Sequence, residues 1–470
     1  MIENPARGAR VLLTGCTGFV GKVVLAEMMR RREELGLERV FLLIRPRRTK
    51  SPDVRFDHSV VPSRCFSRLE AGWTKYCQPI AGDMLDEGLG ISGEVADFLR
   101  SDLTHIIHCA ASVRFDLPLQ EAASINISGA LKVLDFAKGC VHLQRMVDVS
   151  TAYVAPHPGT GVLVAEEKLV DLPFDAEEIF GTIMAGNADE KALLARTGHP
   201  NTYTLTKCIA ELVLSKHRGD VPLTLLRPSV VSACRTYPFP GWIDSHAAYA
   251  AFISLIGAGY LKVIRVDRNT KIDVIPCDDV ADRILSCAFD PALQLPFVVR
   301  HAAAGLANSG ESSMLAHTHE RHFQATPHER AAKLAYVGPS IASFRFHQMV
   351  HHHLPLSAAK ATRRFQGQKR AAVKIRRLAS ALGSLDESFQ YFAHSTFDFR
   401  SAFPPLAGFQ LQSYLETVSD GISEHLLKRN PCQAPLRMHG GDLTWALRQP
   451  DGNATTRAFA YVIRKALRAA

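Results

Sequence analysis

The sequence predicts an α/β fold: a doubly wound parallel sheet followed by a smaller, mostly helical C-terminal domain. Three observations carry this prediction. Short apolar runs of strand length alternate with stretches of helical spacing from the N-terminus to about residue 288, the pattern of a parallel sheet covered on both faces. A glycine-rich turn, Thr14 to Gly21, stands directly after the first apolar run and before the first helical one. Beyond about residue 302 strand-like runs give way to Ala, His, Ser and basic residues.

In chain order, Val11 to Leu13 is a short strand and Lys22 to Leu35 an amphipathic helix. Further strands are expected at Val40 to Ile44, around Ile80, at His105 to Ala111, at Arg145 to Val149 and at Leu223 to Leu226. Helices are expected between them, at Ser124 to Lys138 and Thr204 to His217. Ala247 to Ile264 is apolar, but Tyr249, Ser254, Tyr260 and Lys262 interrupt it, so it reads as a buried helix. Residues 302–329 hold no strand-like run, Ser357 to Leu382 is helical and basic, and Thr456 to Leu467 is a basic helix within a tail at 431–470.

The chain has 470 residues, enough for two or three domains. Its ten cysteines are scattered, with no C-x-x-C pair, which suits a reducing compartment better than a disulfide framework. A short polar N-terminus carries no signal-peptide pattern. The expected location is therefore cytoplasmic. The net charge of +9 favours anionic partners. Nucleic acid fits the charge, but no aromatic-rich basic platform or reader motif accompanies it, so none is expected. From Lys360 to Arg377, eight of eighteen residues are Lys or Arg. Such a segment suits peripheral contact with an anionic membrane, or simply a solvated helix face. His317, His319 and His322, and His347 with His351 to His353, resemble metal clusters, but their spacing matches no zinc motif and no metal is expected.

Gly15, Gly18 and Gly21 form G-x-x-G-x-x-G between a strand and a helix. Glycine lets the backbone approach a pyrophosphate, and the helix N-terminus offers free N–H groups and the positive end of its dipole. Thr14, Gly15, Thr17, Gly18, Phe19, Val20 and Gly21 are the candidate cofactor contacts of this Rossmann-type turn. The next strand ends at Ile44 and Arg45, where an NAD site usually places an acid. Arginine there suits a 2′-phosphate, so NADPH is the expected cofactor. Asp83 follows another strand and can reach the adenine. Ala110 and Ala111, followed by Ser112, leave room beside the cofactor. Asn126 can brace the neighbouring strands.

Tyr203 and Lys207 are spaced i, i+4 in Y-T-L-T-K and share a face if that segment is helical. An ammonium beside a phenol favours the phenolate and lowers a pKa that is otherwise near 10, which makes tyrosine a usable general acid. Lys207 can also hydrogen-bond the nicotinamide ribose. Thr151 closes the strand ending Val149-Ser150 and can hold a substrate carbonyl beside Tyr203. Ser150 is the rival, since only one of two successive strand residues faces the site. Thr151, Tyr203 and Lys207 are the candidate catalytic residues.

Together these residues resemble an extended short-chain dehydrogenase/reductase, and within that superfamily the chain is similar to the fatty acyl-CoA reductases, the male-sterility-type proteins. The matching segments are T-G-C-T-G-F-V-G-K (14–22), L-L-I-R (42–45), H-C-A-A-S-V-R-F-D (108–116), V-S-T-A-Y-V (149–154), Y-T-L-T-K-C-I-A-E (203–211), L-R-P-S-V-V (226–231), P-F-P-G-W-I-D (238–244) and Y-F-A-H-S-T-F-D-F (391–399). The resemblance implies an NADP-binding reductase domain with substrate-binding insertions over 8–300 and a C-terminal helical domain over 340–430. It also implies NADPH-dependent reduction of a long-chain acyl-CoA, through an aldehyde, to an alcohol. An aldehyde-forming thioester reductase acting on acyl-CoA or a carrier-bound acyl group is the alternative. A sugar or sterol dehydrogenase of the superfamily fits less well, because P-F-P-G-W is foreign to it. A non-catalytic cofactor-sensing or lipid-binding module would not need Tyr203 and Lys207. An acyl tunnel is expected between the C-terminal edge of the sheet and the helical domain, with Pro238 to Asp244 on its wall.

Overall fold

A computed structural model of the chain describes residues 8–428, apart from 48–49, 160, 294, 326–332 and scattered positions between 367 and 389. The tail at 431–470, and with it the expected helix Thr456 to Leu467, lies outside the described residues.

The central sheet has seven strands: β1 (Ala9–Thr14), β2 (Leu37–Ile44), β3 (Cys77–Ala81), β4 (His105–His108), β5 (Arg145–Val149), β6 (Leu223–Pro228) and β7 (Phe297–Ala302). Their spatial order is β7-β6-β5-β4-β1-β2-β3 and every pairing is parallel. Strand order reverses between β1 and β4, and ligands of such sheets bind at the C-terminal ends of the strands where it does.

The strands are rich in aliphatic residues because both faces are covered. Leu12, Phe41, Ile106, Met146 and Leu225 enter one apolar cluster, with Leu99 and Leu103 at helix α2 (Gly93–Asp102), Val133 and Leu134 of helix α3 (Gly129–Lys138) and Leu214 of helix α4 (Thr202–His217). The alternate residues Val11, Leu13, Val40, Leu42, Ile107 and Val147 enter the other, with helices α1 (Phe19–Arg30) and α5 (Cys277–Phe289). This alternation follows from the two-residue period of a strand.

Helix α3 continues Leu119–Ala123 through a π-helical turn, Ser124–Ser128, so the helix expected from Ser124 starts five residues earlier. The buried helix expected to reach Ile264 stops at Gly257, because Gly259 takes a left-handed φ of +75°, and Val263–Arg265 becomes a short strand.

The C-terminal segments interleave with parts of the first 300 residues. Helix Ser312–Ala325 packs between Ala248–Gly257 and Leu411–Gly421. Tyr249 Oη meets His319 Nε2 at 2.7 Å, and His319 Nδ1 meets Ser419 Oγ at 2.7 Å, which ties the three helices together. Strand Thr396–Phe399 pairs with Val162–Ala165, and Tyr336–Gly338 pairs with Val263–Arg265. Residues 302–329, expected without strands, include a two-residue strand, Gly310–Glu311, paired with Lys271–Ile272. Of the basic helical stretch, Leu354–Phe365 is a described helix, and much of the remainder to 382 is outside the described residues.

Candidate active site

The glycine turn lies at the C-terminal end of β1. Gly15 has a φ of +76°, and a Cβ there would stand 2.8 Å from the backbone N of Ala110. A Cβ on Gly21 would stand 2.2 Å from the carbonyl oxygen of Gly15. Helix α1 can therefore close onto the turn only without a side chain at that position. Gly18 caps α1 and its carbonyl accepts the Lys22 N–H at 3.0 Å; no side chain fills the cap. The first-turn N–H groups are left for an anion. The residues present thus fit a dinucleotide pyrophosphate.

The other expected contacts of the turn divide. Thr17 and Val20 are partly exposed. The Phe19 side chain is buried in the apolar core, which leaves its backbone N–H as the group a ligand can use. Thr14 is also buried; its hydroxyl accepts the Ala110 N–H at 3.2 Å and meets His108 Nδ1 at 2.7 Å. It braces the cradle from beneath. Ala110 and Ala111 line the turn from the end of β4 and are partly exposed. Asn126 Oδ1 accepts the Ser112 N–H at 2.9 Å, and its amide reaches Thr206 Oγ1 at 3.2 Å, joining this loop to α4.

At the adenosine end, Arg45 Nη1 lies 3.2 Å from Asp83 Oδ2. Sequence reasoning missed a second cation here. Arg55, on helix Pro52–Ser59, donates to the carbonyl of Arg45, and its charge is felt by the Cys16 thiol inside the turn. No positional rule points to a residue on the helix after β2, so only folding reveals it.

Asn201 caps α4 by accepting the Thr204 N–H at 2.9 Å, and Thr202 Oγ1 donates to the Leu117 carbonyl at 2.8 Å. These two bonds fix the first turn, which carries Tyr203. Of the two rivals it is Thr151 whose side chain acts on the Tyr203 phenol, favouring its ionised form; the Ser150 hydroxyl is buried without a partner among the described atoms. Lys207 Nζ is buried, donates to the Val149 carbonyl at 2.8 Å and lies 4.0 Å from Asp148 Oδ2. Thr151, Tyr203 and Lys207 therefore converge at the end of β5. The electrostatics differ from the expectation. Burial pushes the Tyr203 phenol up to about 12, with the Thr151 side chain opposing the rise and the Asp148 charge adding to it. Lys207 directs its ammonium to Val149 and Asp148, so the expected lowering by a neighbouring lysine is not what governs the phenol here.

An aromatic wall faces Tyr203. The Phe115 ring lies 5.6 Å from Tyr203 and 5.6 Å from Phe392, and Phe392 lies 4.8 Å from Tyr153. The segment 391–399 thus reaches the catalytic face. By contrast, Pro238 to Asp244 packs against α1 and the last helix: Asp244 pairs with Lys22, and a Cβ on Gly421 would strike the Gly241 carbonyl. An apolar cavity of about 30 Å³ lies between helices Ala248–Gly257 and Ser312–Ala325, bordered by Tyr249, Ile264, Leu315 and Ala393. A hollow of about 670 Å³ opens at the opposite edge of the sheet, beside Ala9, His105 and Gln144. It is remote from Tyr203 because those residues begin or precede their strands. Among the described residues no group of three or more His, Cys, Asp and Glu is placed to hold a metal.

Comparison with known proteins agrees with this arrangement. The family model described as male sterility protein matches residues 13–284. Fatty acyl-CoA reductase wat of Drosophila melanogaster is 32% identical over 290 residues, 60% of this chain and 54% of that one. Fatty acyl-CoA reductase 2 of Mus musculus is 25% identical over 449 residues, 90% of this chain and 86% of that one. Probable fatty acyl-CoA reductase 4 of Arabidopsis thaliana is 28% identical over 388 residues, 74% of this chain and 78% of that one. Among solved structures, the terminal R domain of the myxalamid PKS-NRPS pathway superposes with a TM-score of 0.61 at 18% identity, covering 92% of this chain and 94% of that one. The reductase domain of a nonribosomal peptide synthetase from Mycobacterium tuberculosis gives 0.56 at 16% identity, covering 90% and 92%. At these identities the likeness supports the fold. With a glycine cradle, a Tyr-x-x-x-Lys helix and a family match over more than half its length, the chain belongs to the male sterility protein family, the fatty acyl-CoA reductases of the extended short-chain dehydrogenase/reductase type.

Proposed function

We propose that this chain reduces long-chain fatty acyl-CoA to fatty alcohol through an aldehyde, with NADPH as reductant. The observation that carries the reading is the convergence of Thr151, just past β5, with Tyr203 and Lys207 of α4, whose ammonium is held at the Val149 carbonyl, at the sheet end that holds the glycine turn. NADPH, when bound, supplies hydride to the thioester carbon. Tyr203 and Thr151 stabilise the oxyanion that develops on the carbonyl oxygen, and Tyr203 delivers the proton. The hemithioacetal then releases CoA as thiol, and the aldehyde is reduced at the same residues. A phenol held high by burial is protonated at neutral pH, as an acid must be. Arg45 and Arg55 support NADPH over NADH, since two cations stand where the 2′-phosphate of this cofactor class lies.

We assign the peripheral membrane contact to the helical run from Ile341 through Phe365. Ile341, Phe346, Met349, Leu354 and Phe365 expose apolar side chains, Phe365 almost wholly at 96%, and Arg345, Arg363 and Arg364 accompany them. Apolar residues beside cations are the composition of an interfacial helix on anionic lipid. Among the described residues no helix is long and apolar enough to cross a membrane. Free thiols at every described cysteine suit a reducing, cytoplasmic setting.

The test is incubation with NADPH and acyl-CoAs of graded length, with products identified by mass. Two NADPH oxidised per CoA released, and fatty alcohol, are expected. One NADPH per CoA with aldehyde accumulating establishes the aldehyde-forming alternative, and no turnover with any acyl-CoA overturns acyl-CoA reduction to either product.

A further inference from the structure

Thr14, His108 and Asp148 are register partners, the last residues of β1 and β4 and the penultimate residue of β5, side by side on one face of the sheet. Helix α4 covers that face and brings Lys207 to the end of the row. The separations are 2.7 Å from Thr14 Oγ1 to His108 Nδ1, 3.9 Å from His108 Nε2 to Asp148 Oδ1 and 4.0 Å from Asp148 Oδ2 to Lys207 Nζ. All four side chains are 2% exposed or less. The Thr14 hydroxyl accepts the Ala110 N–H with one lone pair, and in the tautomer proposed here it donates its own proton to His108 Nδ1. The proton of a neutral His108 is then on Nε2 and faces Asp148.

We propose that Asp148 and His108 are positioning residues for the reduction, holding Lys207 at the Val149 carbonyl and tying its position to the glycine turn through Thr14. The inference rests on the functional reading above for the identity of the reaction. A buried ammonium needs a counter-charge, and Asp148 is the carboxylate within reach of Lys207. Burial keeps Tyr203 in its acid form, and the same carboxylate adds to this, because a negative charge nearby disfavours the phenolate. The groups facing Asp148 are His108 and Cys109 from β4, and Lys207 and Tyr203 from α4. Burial holds His108 down at about 4, so it is a neutral bridge at working pH. The row ends at Gly15 on one side and at Lys207 on the other.

The experiment compares the full chain with Asp148→Asn, His108→Gln and His108→Leu. The pH profile of kcat is recorded with NADPH and palmitoyl-CoA. In parallel, Tyr203 ionisation is followed by ¹³Cζ-tyrosine NMR, assigned with Tyr203→Phe. In Asp148→Asn, both the alkaline limb of kcat and the Tyr203 titration move to lower pH by about one unit. His108→Leu lowers kcat roughly tenfold or more, whereas His108→Gln, whose amide spans the same two partners, retains most of it. An unmoved Tyr203 titration in Asp148→Asn overturns the proposal, and so does His108→Gln as impaired as His108→Leu. If Asp148→Asn fails to fold, the two His108 variants decide the matter alone. The NMR titration needs no turnover. A chain inert toward palmitoyl-CoA therefore counts against the functional reading, while the Tyr203 signal still decides this one.

Discussion

Replacing Gly21 by alanine is the most direct perturbation of the cofactor cradle. The added methyl would stand 2.2 Å from the Gly15 carbonyl oxygen and 2.7 Å from its carbonyl carbon. Both are backbone atoms, so no rotamer change relieves the overlap. Ordinary contact requires the turn and α1 to separate by about 1 Å. Overpacking of this kind costs about 1–3 kcal/mol of stability, a fall of several degrees in Tm. The larger effect is on binding. The N–H groups of the α1 first turn lose their alignment on the pyrophosphate, and a hydrogen bond to a charged group contributes about 1.5–3 kcal/mol. Loss of one or two such bonds weakens NADPH roughly a hundredfold or more. Fluorescence titration with NADPH measures the affinity, and thermal denaturation followed by circular dichroism measures the fold. Gly181→Ala is the control: Gly181 lies within helix Ala176–Met184 with nothing within 4 Å of its Cβ position. It should bind NADPH normally and gain up to about 1 kcal/mol. A Gly21→Ala protein that binds NADPH as the unaltered chain does would refute the assignment of this turn to the cofactor.

Three further outcomes are expected. Arg45→Ala combined with Arg55→Ala should reduce the preference for NADPH over NADH by about tenfold or more, read as the ratio of kcat/KM for the two cofactors; an unchanged ratio removes these arginines from the 2′-phosphate site. Burial lowers His105, His108 and His301 to about 4 and His319 to about 3. The unfolded chain, whose histidines titrate near 6.5, then binds protons first, so stability is full above about pH 6.5 and falls as pH drops toward 4; urea unfolding at pH 7.5 and pH 5.0 should show the loss, and equal stability at both contradicts it. Phe346→Glu with Leu354→Glu and Phe365→Glu should abolish co-sedimentation with vesicles containing anionic lipid and leave turnover of micellar substrate intact; equal pelleting of the variant and the unaltered chain rejects the membrane surface.

Much of the site was legible before folding because its signals are local. The glycine turn announces itself by spacing, since a backbone that must approach a phosphate excludes side chains at Gly15 and Gly21. Tyr203 and Lys207 lie one helical turn apart, on a helix that Asn201, two residues before the tyrosine, caps in the structure. Six of the seven strands of the sheet were readable as apolar runs because a parallel sheet buries both faces; Phe297–Ala302, beyond the alternation read to about residue 288, was not. The motif L-R-P was visible too, but its role was not. Arg227 makes a fully buried, bidentate pair with Glu211 of the Tyr203 helix, 2.5 Å at the closest contact, and so anchors α4 rather than touching a substrate.

What the chain by itself determined, then, is the alternation of elements, the turn that holds a dinucleotide and the helix that carries the phenol, all set by residues within a few positions of one another. The tertiary structure decided everything that depends on distant segments meeting: Arg55 folding back on Arg45, Phe392 arriving opposite Tyr203, and Thr14, His108 and Asp148 lining up on three neighbouring strands. It also set the phenol's electrostatics, because burial raises Tyr203 while the lysine one turn along the helix aims at Val149 and Asp148. Spacing along a chain fixes which face a side chain shares. The charges and desolvation it meets on that face are supplied by other strands, and those are chosen only when the sheet assembles.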